Sequence, residues 1–518
     1  MHPLLIGAFP VVFLFAQNIN EQFSLNPLWQ PLALAIGGAA VVLLIAIGIG
    51  LAVGSIERAA LGASLLILLA MTYGHAWNLV GDSLHVHRYL LVPWALIAII
   101  GIVVIWRIPA GAVRRATMVV TLIAAALILV NAVPIAELAV RSASVVTPAN
   151  ANAEPSGQPT AGEGRDVWYI VPDRYGGANG LAETYGFDNT PFLDALRDRG
   201  FEVADDATAT YLKTSLSLLA TLNLDELDFD ALEAEATGGD DFRPIHRRLQ
   251  GSNAVERFLH ERGYRYLHVG SVLGPTAGNT AADEVFLYGS TTEFGTVLAE
   301  TTLLRSLERI APRAIATTRT ELITAQTEFQ FETLPDLADA PGRNFVFAHL
   351  LVPHPPYVWN ADGSRVTDEQ KASRSVDEQY IEQLKFTNDK LLALVDRLHA
   401  GPPETWPIIV ISADEGPFPN AYAQDEKGYQ WLEAPPDELL RKFSVLSAIS
   451  VPGVDRAALE DAGFSDDLTL VNLFRIVLNA AFDADLSMLP ERHWVFVDGT
   501  HLYEVADITD RIPTEDSR

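Results

Sequence analysis

Five apolar runs, at roughly 3–17, 31–54, 59–80, 90–106 and 116–137, fill the first part of the chain. Crossing a bilayer as a helix takes about 20 apolar residues. The second, third and fifth runs reach that length. The fourth is slightly short, and the first is short and contains Pro10. Residues 1–141 hold only six Lys/Arg and four Asp/Glu. Residues 1–138 are therefore expected to form a bundle of about five membrane-spanning helices.

The loops orient the bundle. Arg58 lies in one short loop and Arg107, Arg114 and Arg115 in another, whereas the alternating loops hold only Arg88. The excess of basic residues marks the cytoplasmic side. The N-terminus is then cytoplasmic, and an odd number of spans places everything after residue 138 outside. A cleaved signal at the first run would leave four spans and the same outcome, but that run lacks a basic flank. Tyr73-Gly74-His75-Ala76-Trp77-Asn78 closes the third span on the outer side. Trp and Tyr are ordinary anchors at that depth, and lipid handling is the functional alternative.

The rest of the chain differs in kind. Beyond residue 141 there are 30 basic and 61 acidic residues, a net of −31. That charge argues against nucleic acid as a partner and against charge-driven docking on anionic lipid. An anionic substrate would need local positive charge, which a metal supplies. With no cysteine, disulfides, thiolate zinc sites and cysteine nucleophiles are excluded. Residues 139–165, rich in Ser, Ala, Thr, Pro, Asn and Gly, read as a flexible linker. Residues 166–507 read as a soluble domain and 508–518 as a disordered tail.

Within the domain, strand-like runs alternate with helical patterns. Strands are expected at 167–172, 201–204, 264–269, 345–351 and 408–414, and helices at 192–199, 253–262, 311–333 and 377–399. That alternation indicates an α/β fold with a mostly parallel central sheet. Ile408-Ile409-Val410-Ile411-Ser412-Ala413-Asp414-Glu415-Gly416-Pro417 is a buried strand ending in two carboxylates and a turn. Val167-Trp168-Tyr169-Ile170-Val171-Pro172-Asp173-Arg174-Tyr175-Gly176 repeats the design. Ligands of open α/β sheets sit at the carboxyl ends of strands, and neighbouring carboxylates repel unless a cation or proton lies between them.

Two further stretches carry chemistry. In Lys213-Thr214-Ser215-Leu216, a hydroxyl opens a helix and is either an N-cap or, beside a metal, a nucleophile. His349 and His354 flank Leu350-Leu351-Val352-Pro353 at the end of a buried strand and suit phosphate-oxygen contacts or acid–base work.

These pieces, in this order, resemble the alkaline phosphatase-like superfamily and its sulfatase-like hydrolases and transferases. The matching residues are Asp173, Asp188-Asn189-Thr190-Pro191-Phe192-Leu193-Asp194-Ala195-Leu196, the Ser217-Leu218-Leu219 helix, His349-Leu350-Leu351-Val352-Pro353-His354-Pro355-Pro356-Tyr357 and Ser412-Ala413-Asp414-Glu415-Gly416. The layout of spans, tether and external domain resembles lipoteichoic acid synthases and phosphoethanolamine transferases. The resemblance implies an alkaline phosphatase-like (sulfatase) fold and a bacterial cell membrane location. It implies Asp173, Thr214, Asp414 and Glu415 around one divalent metal, Thr214 as nucleophile, and His354, His349, Lys213 and Arg174 against substrate.

Two departures shape the expectation. Glu415 stands where the family has histidine, so an all-oxygen shell favours Mn²⁺ or Mg²⁺, with Ca²⁺ compatible, over zinc. The formylglycine motif of sulfatases is missing, which disfavours sulfate-ester hydrolysis. The expected function is transfer or hydrolysis of a phosphate-linked headgroup of an envelope lipid or glycan. The alternatives are a sulfate or phosphate ester hydrolase on a soluble ester, and a catalytically degenerate glycan-binding protein.

Overall fold

The computed structural model describes residues 1–19, 25–84, 87–143, 164–289, 293–307 and 318–513. The linker expected at 139–165 falls largely on residues outside these, as does the start of the helix expected at 311–333. The chain divides into two compact units, Met1–Val145 with Gly289–Leu322, and Val146–Tyr288 with Ile323–Arg518.

The first unit contains α1 (His2–Gln17), α2 (Asn26–Val53), α3 (Ile56–Leu84), α4 (Arg88–Arg107) and α5 (Ala110–Ala143). Among the described residues, four helices, within α2 to α5, are long and apolar enough to cross a membrane. The first of the five expected spans, α1, has 16 residues. At 1.5 Å per residue it falls short of a hydrocarbon core of about 30 Å. α1 instead buries Val11 and Phe15 against Leu28 and Leu138. A helix at Glu293–Thr301 joins this unit through Phe294 and Leu298. Phe294 meets the Phe15 ring edge-on, with centroids 5.3 Å apart. The expectation of one continuous domain over 166–507 did not include this excursion.

The second unit is built on a seven-stranded sheet. Its strands are β1 (Val167–Pro172), β2 (Glu202–Val203), β3 (Arg265–Val269), β4 (Glu284–Phe286), β5 (Asn344–Leu350), β6 (Ile408–Ser412) and β7 (Ser447–Ser450), in the order β2-β7-β6-β1-β5-β3-β4. β6, β1, β5, β3 and β4 run parallel, and β7 is antiparallel to β6 and β2. β1, β5 and β6 are buried at every residue. That is why they read as unbroken apolar runs: a parallel strand covered on both faces has no solvent side. Phe474, on the helix Leu470–Phe482, packs its ring against Tyr169 and Phe345. A two-stranded ladder, β8 (Trp494–Phe496) and β9 (Val505–Asp507), completes the unit.

The tail expected from 508 is packed as far as it is described. Ile508 and Ile512 are buried in the core, and the Arg511 guanidinium donates to the carbonyls of Leu432 and Ala434. Two isoleucines among polar residues are too weak a pattern to reveal this from sequence.

Candidate metal centre and its cationic surround

β1 lies between β5 and β6, and the carboxyl ends of these three strands carry the candidate site. The register pairs Val171 with His349. Asp173 follows β1, and its N–H donates to the Leu350 carbonyl at 2.9 Å. Asp414 comes two residues after β6. His349 Nε2 is 3.6 Å from Asp173 Oδ2 and 3.9 Å from Asp414 Oδ2. All three residues are fully buried, and one ligand atom from each lies within 4.8 Å of the others.

The group is electrostatically incomplete on its own. Both oxygens of Asp173, Asp414 Oδ2 and His349 Nε2 are buried without a hydrogen-bond partner, a condition that native interiors rarely tolerate. Burial and Asp414 hold the Asp173 carboxyl well above the usual carboxylate range. Burial, then Glu415, raises Asp414 to about 6. Burial lowers His349 to about 3, so its imidazole is neutral. Its Nδ1 lies 2.8 Å from Thr276 Oγ1. With the Nδ1 proton donated to Thr276, Nε2 aims a lone pair at two carboxylates, which is repulsive until a cation lies among them. Two carboxylates and a neutral imidazole are the donor set of a divalent metal, and the residues fit one.

Thr214 opens the helix Thr214–Asn223. The helix has no side-chain cap on its N-cap residue, Lys213. The Thr214 side chain faces the Asp414 carboxylate and pulls it down, against the burial that raises it. Asp414 Oδ1 also accepts from the Arg174 N–H at 3.4 Å.

Glu415 has a different environment from the one expected of a ligand. Lys442 Nζ is 2.7 Å from Glu415 Oε2, and Arg174 Nε is 3.2 Å from Glu415 Oε1. Lys442 belongs to the helix Pro436–Phe443 and its side chain is fully inaccessible. Burial pulls its ammonium down to about 8, against the pull of Glu415. Gly416 makes the approach possible: a Cβ there would lie 2.4 Å from the Arg441 carbonyl and 2.7 Å from that of Lys442. The Gly416 N–H donates to the Lys442 carbonyl at 2.9 Å. His349, on a neighbouring strand, brings a nitrogen to the group that the all-oxygen expectation did not include.

The remaining expected residues divide. Arg174 lies with its guanidinium carbon 3.2 Å from the Phe418 ring centroid, and Lys213 Nζ is 5.4 Å from the same centroid. Burial lowers the Lys213 ammonium, opposed by Glu415 and Glu426. His354 sits in the loop after β5, its carbonyl accepting from Gln383 Nε2 at 2.8 Å and its Nδ1 against the Pro355 carbonyl. Lys442, Thr276 and Phe418 were not singled out in the sequence. A lysine in a short amphipathic helix reads as a solvated charge, and nothing local marks it otherwise.

No protein-family profile matches the sequence, and no curated protein matches it. Solved structures do. The C-terminal periplasmic domain of EcEptC from Escherichia coli is similar at 12% identity and a TM-score of 0.42, over 72% of this chain and 99% of that one. A protein in the alkaline phosphatase superfamily from Vibrio parahaemolyticus is similar at 13% and 0.39, over 68% and 79%. The integral membrane lipooligosaccharide phosphoethanolamine transferase A from Neisseria meningitidis is similar at 13% and 0.37, over 93% of this chain and 95% of that one.

Proposed function

We propose that this chain is a membrane-anchored, metal-dependent enzyme that moves or hydrolyses a phosphate-linked headgroup of an envelope lipid or glycan, with its α/β domain on the extracytoplasmic side. The observation that carries the reading is the buried Asp173–His349–Asp414 group, with the start of the Thr214 helix, which has no side-chain cap, facing Asp414. A divalent metal bound there, held by Asp173, His349 and Asp414, supplies Lewis acidity and lowers the pKa of a neighbouring hydroxyl.

The chain's own residues do the rest. Thr214 Oγ forms the new bond to phosphorus as the bond to the leaving alcohol breaks, and the Thr214 proton has Asp414 as its first acceptor. The free N–H groups of the helix start favour the developing negative charge. Arg174 and Lys213 face the anionic ester. The covalent phospho-threonine then passes its group to a sugar, a lipid or water. Mn²⁺ or Mg²⁺ remains the proposed ion, with the imidazole making Zn²⁺ compatible as well.

The test uses the full chain in detergent, because Gly289–Leu322 groups with the membrane helices. Protein stripped of metal and resupplied with Mn²⁺ is incubated with phosphodiester, phosphomonoester and sulfate ester probes, beside Thr214→Ala. Metal-dependent phosphodiester turnover that vanishes in the variant is expected. Turnover that survives in T214A removes the nucleophile assignment, and no turnover together with no metal binding removes the enzyme reading.

A further inference from the structure

Three cations surround the Phe418 ring. Arg174 lies 3.2 Å from its centroid, Lys442 Nζ 4.2 Å and Lys213 Nζ 5.4 Å. The buried carboxylate among them is Glu415, which touches Lys442 and Arg174. The three differ in access: the Lys442 side chain is fully covered, whereas those of Arg174 and Lys213 are 13% and 22% exposed. Lys442 therefore cannot reach a substrate, and Arg174 and Lys213 can.

Arg174 is also held in an unusual backbone state. Its φ is +61°, a left-handed conformation that non-glycine residues adopt rarely and mostly where surrounding structure enforces it. The enforcing contacts are visible. The Tyr380 hydroxyl donates to the Arg174 carbonyl at 2.9 Å and accepts from the Gly176 N–H at 3.1 Å. The turn thus sends Asp173 toward the metal group and, one residue later, the Arg174 guanidinium toward Glu415 and Phe418.

We propose that Lys442 is a positioning residue that fixes Glu415 as a counter-ion and support for Arg174, not as a metal ligand, so that the second positive charge met by the substrate ester is a guanidinium and not a second metal ion. This rests on the phosphoryl-transfer reading above. Glu415 Oε2 is 2.7 Å from Lys442 as an ion pair without an aligned hydrogen bond, and Oε1 is 3.2 Å from Arg174. Two cations thus already meet its charge, and it is not one of the three residues whose ligand atoms gather within 4.8 Å. Removing the Lys442 charge would leave Glu415 a full negative charge to be met by Arg174 alone, drawing the guanidinium off the ester.

The experiment measures Mn²⁺ binding calorimetrically and phosphodiester kinetics in the full detergent-solubilised chain, for wild type, E415Q, K442M, the E415Q/K442M pair and D414N. The expected result is one ion per chain in wild type, E415Q and the pair, with affinities within about 3-fold, and a loss of about 100-fold or more in D414N, which removes a ligand. K442M raises KM by about 10-fold, more than it lowers kcat, because Arg174 is drawn from the ground-state anion, and the pair, which removes the Glu415 charge as well, brings KM back to that of E415Q. The pair removes both charges together, so it remains informative if K442M alone does not fold. A fall of metal affinity in E415Q as large as in D414N makes Glu415 a ligand and overturns the proposal. So does a wild-type KM in K442M, or a KM in the pair well above that of E415Q. Failure of the underlying reading looks different, since wild type itself then binds no metal.

Discussion

Thr276 Oγ1 lies 2.8 Å from His349 Nδ1, and both residues are buried. Thr276 Oγ1 is in turn 2.7 Å from Ser271 Oγ. The imidazole is thereby fixed with Nε2 toward Asp173 and Asp414. Partners of this kind set the tautomer and orientation of a ligating histidine, and losing one typically costs about 10–100-fold in metal affinity. Thr276→Val keeps the shape and removes the partner. Its Mn²⁺ affinity should fall within that range in a calorimetric titration, with the melting temperature changed little. An unchanged affinity would remove His349 from the metal's surroundings.

Tyr380 offers a second, separable prediction. Its hydroxyl is buried and satisfies the Arg174 carbonyl and the Gly176 N–H. In Tyr380→Phe both backbone groups lose their partner at a residue held at φ +61°. Leaving buried polar groups unsatisfied costs about 1–3 kcal/mol, which urea unfolding of the full chain should show. Phosphodiester KM should rise as the Arg174 turn relaxes. A variant of wild-type stability would show that the turn needs no such clasp.

The parts of this architecture that the sequence disclosed are those whose signal is local. Val167–Pro172 and Ile408–Ser412 are read as strands because burial on both faces demands unbroken apolar runs, and Asp173 and Asp414 are conspicuous because carboxylates follow them. Which strands are neighbours is not local. His349 joins the two aspartates because β5 lies directly beside β1, a consequence of crossover order. Nothing near Glu415 in sequence announces its partner: the helix Pro436–Phe443, some twenty residues on, brings Lys442 to it across Gly416. The excursion of Gly289–Leu322 into the helical unit is equally hidden, since the helix Glu293–Thr301 carries no long apolar run.

That excursion explains a glycine in the C-terminal half of α3. A Cβ on Gly74 would lie 1.9 Å from the Glu300 carbonyl oxygen and 2.5 Å from the Thr301 carbonyl carbon. Both are backbone atoms, so nothing yields cheaply. Arg305, just beyond, donates to Asn78 Oδ1 at 2.5 Å. Gly74→Val should therefore unseat the helix Glu293–Thr301 from α3, lowering the melting temperature and exposing residues 289–322 to limited proteolysis. A variant with wild-type melting and an unchanged digestion pattern would show that this seat contributes nothing.

His493 is expected to make stability depend on acid. Its Nε2 lies 2.8 Å from Thr208 Oγ1, its backbone N–H donates to Thr509 Oγ1 at 3.0 Å, and its ring meets Phe443 edge-on. Burial lowers its pKa to about 4, with Asp507 acting in the opposite direction. An unfolded histidine titrates near 6.5. The folded value is thus the lower one, and between about 4 and 6.5 the unfolded chain binds the extra proton. The contribution is complete above pH 6.5 and is lost as pH falls through that window. The melting temperature should drop between pH 7.5 and 5, and His493→Gln should flatten part of the drop while losing some stability at pH 7.5. An identical pH slope in the variant would assign the acid sensitivity to other groups.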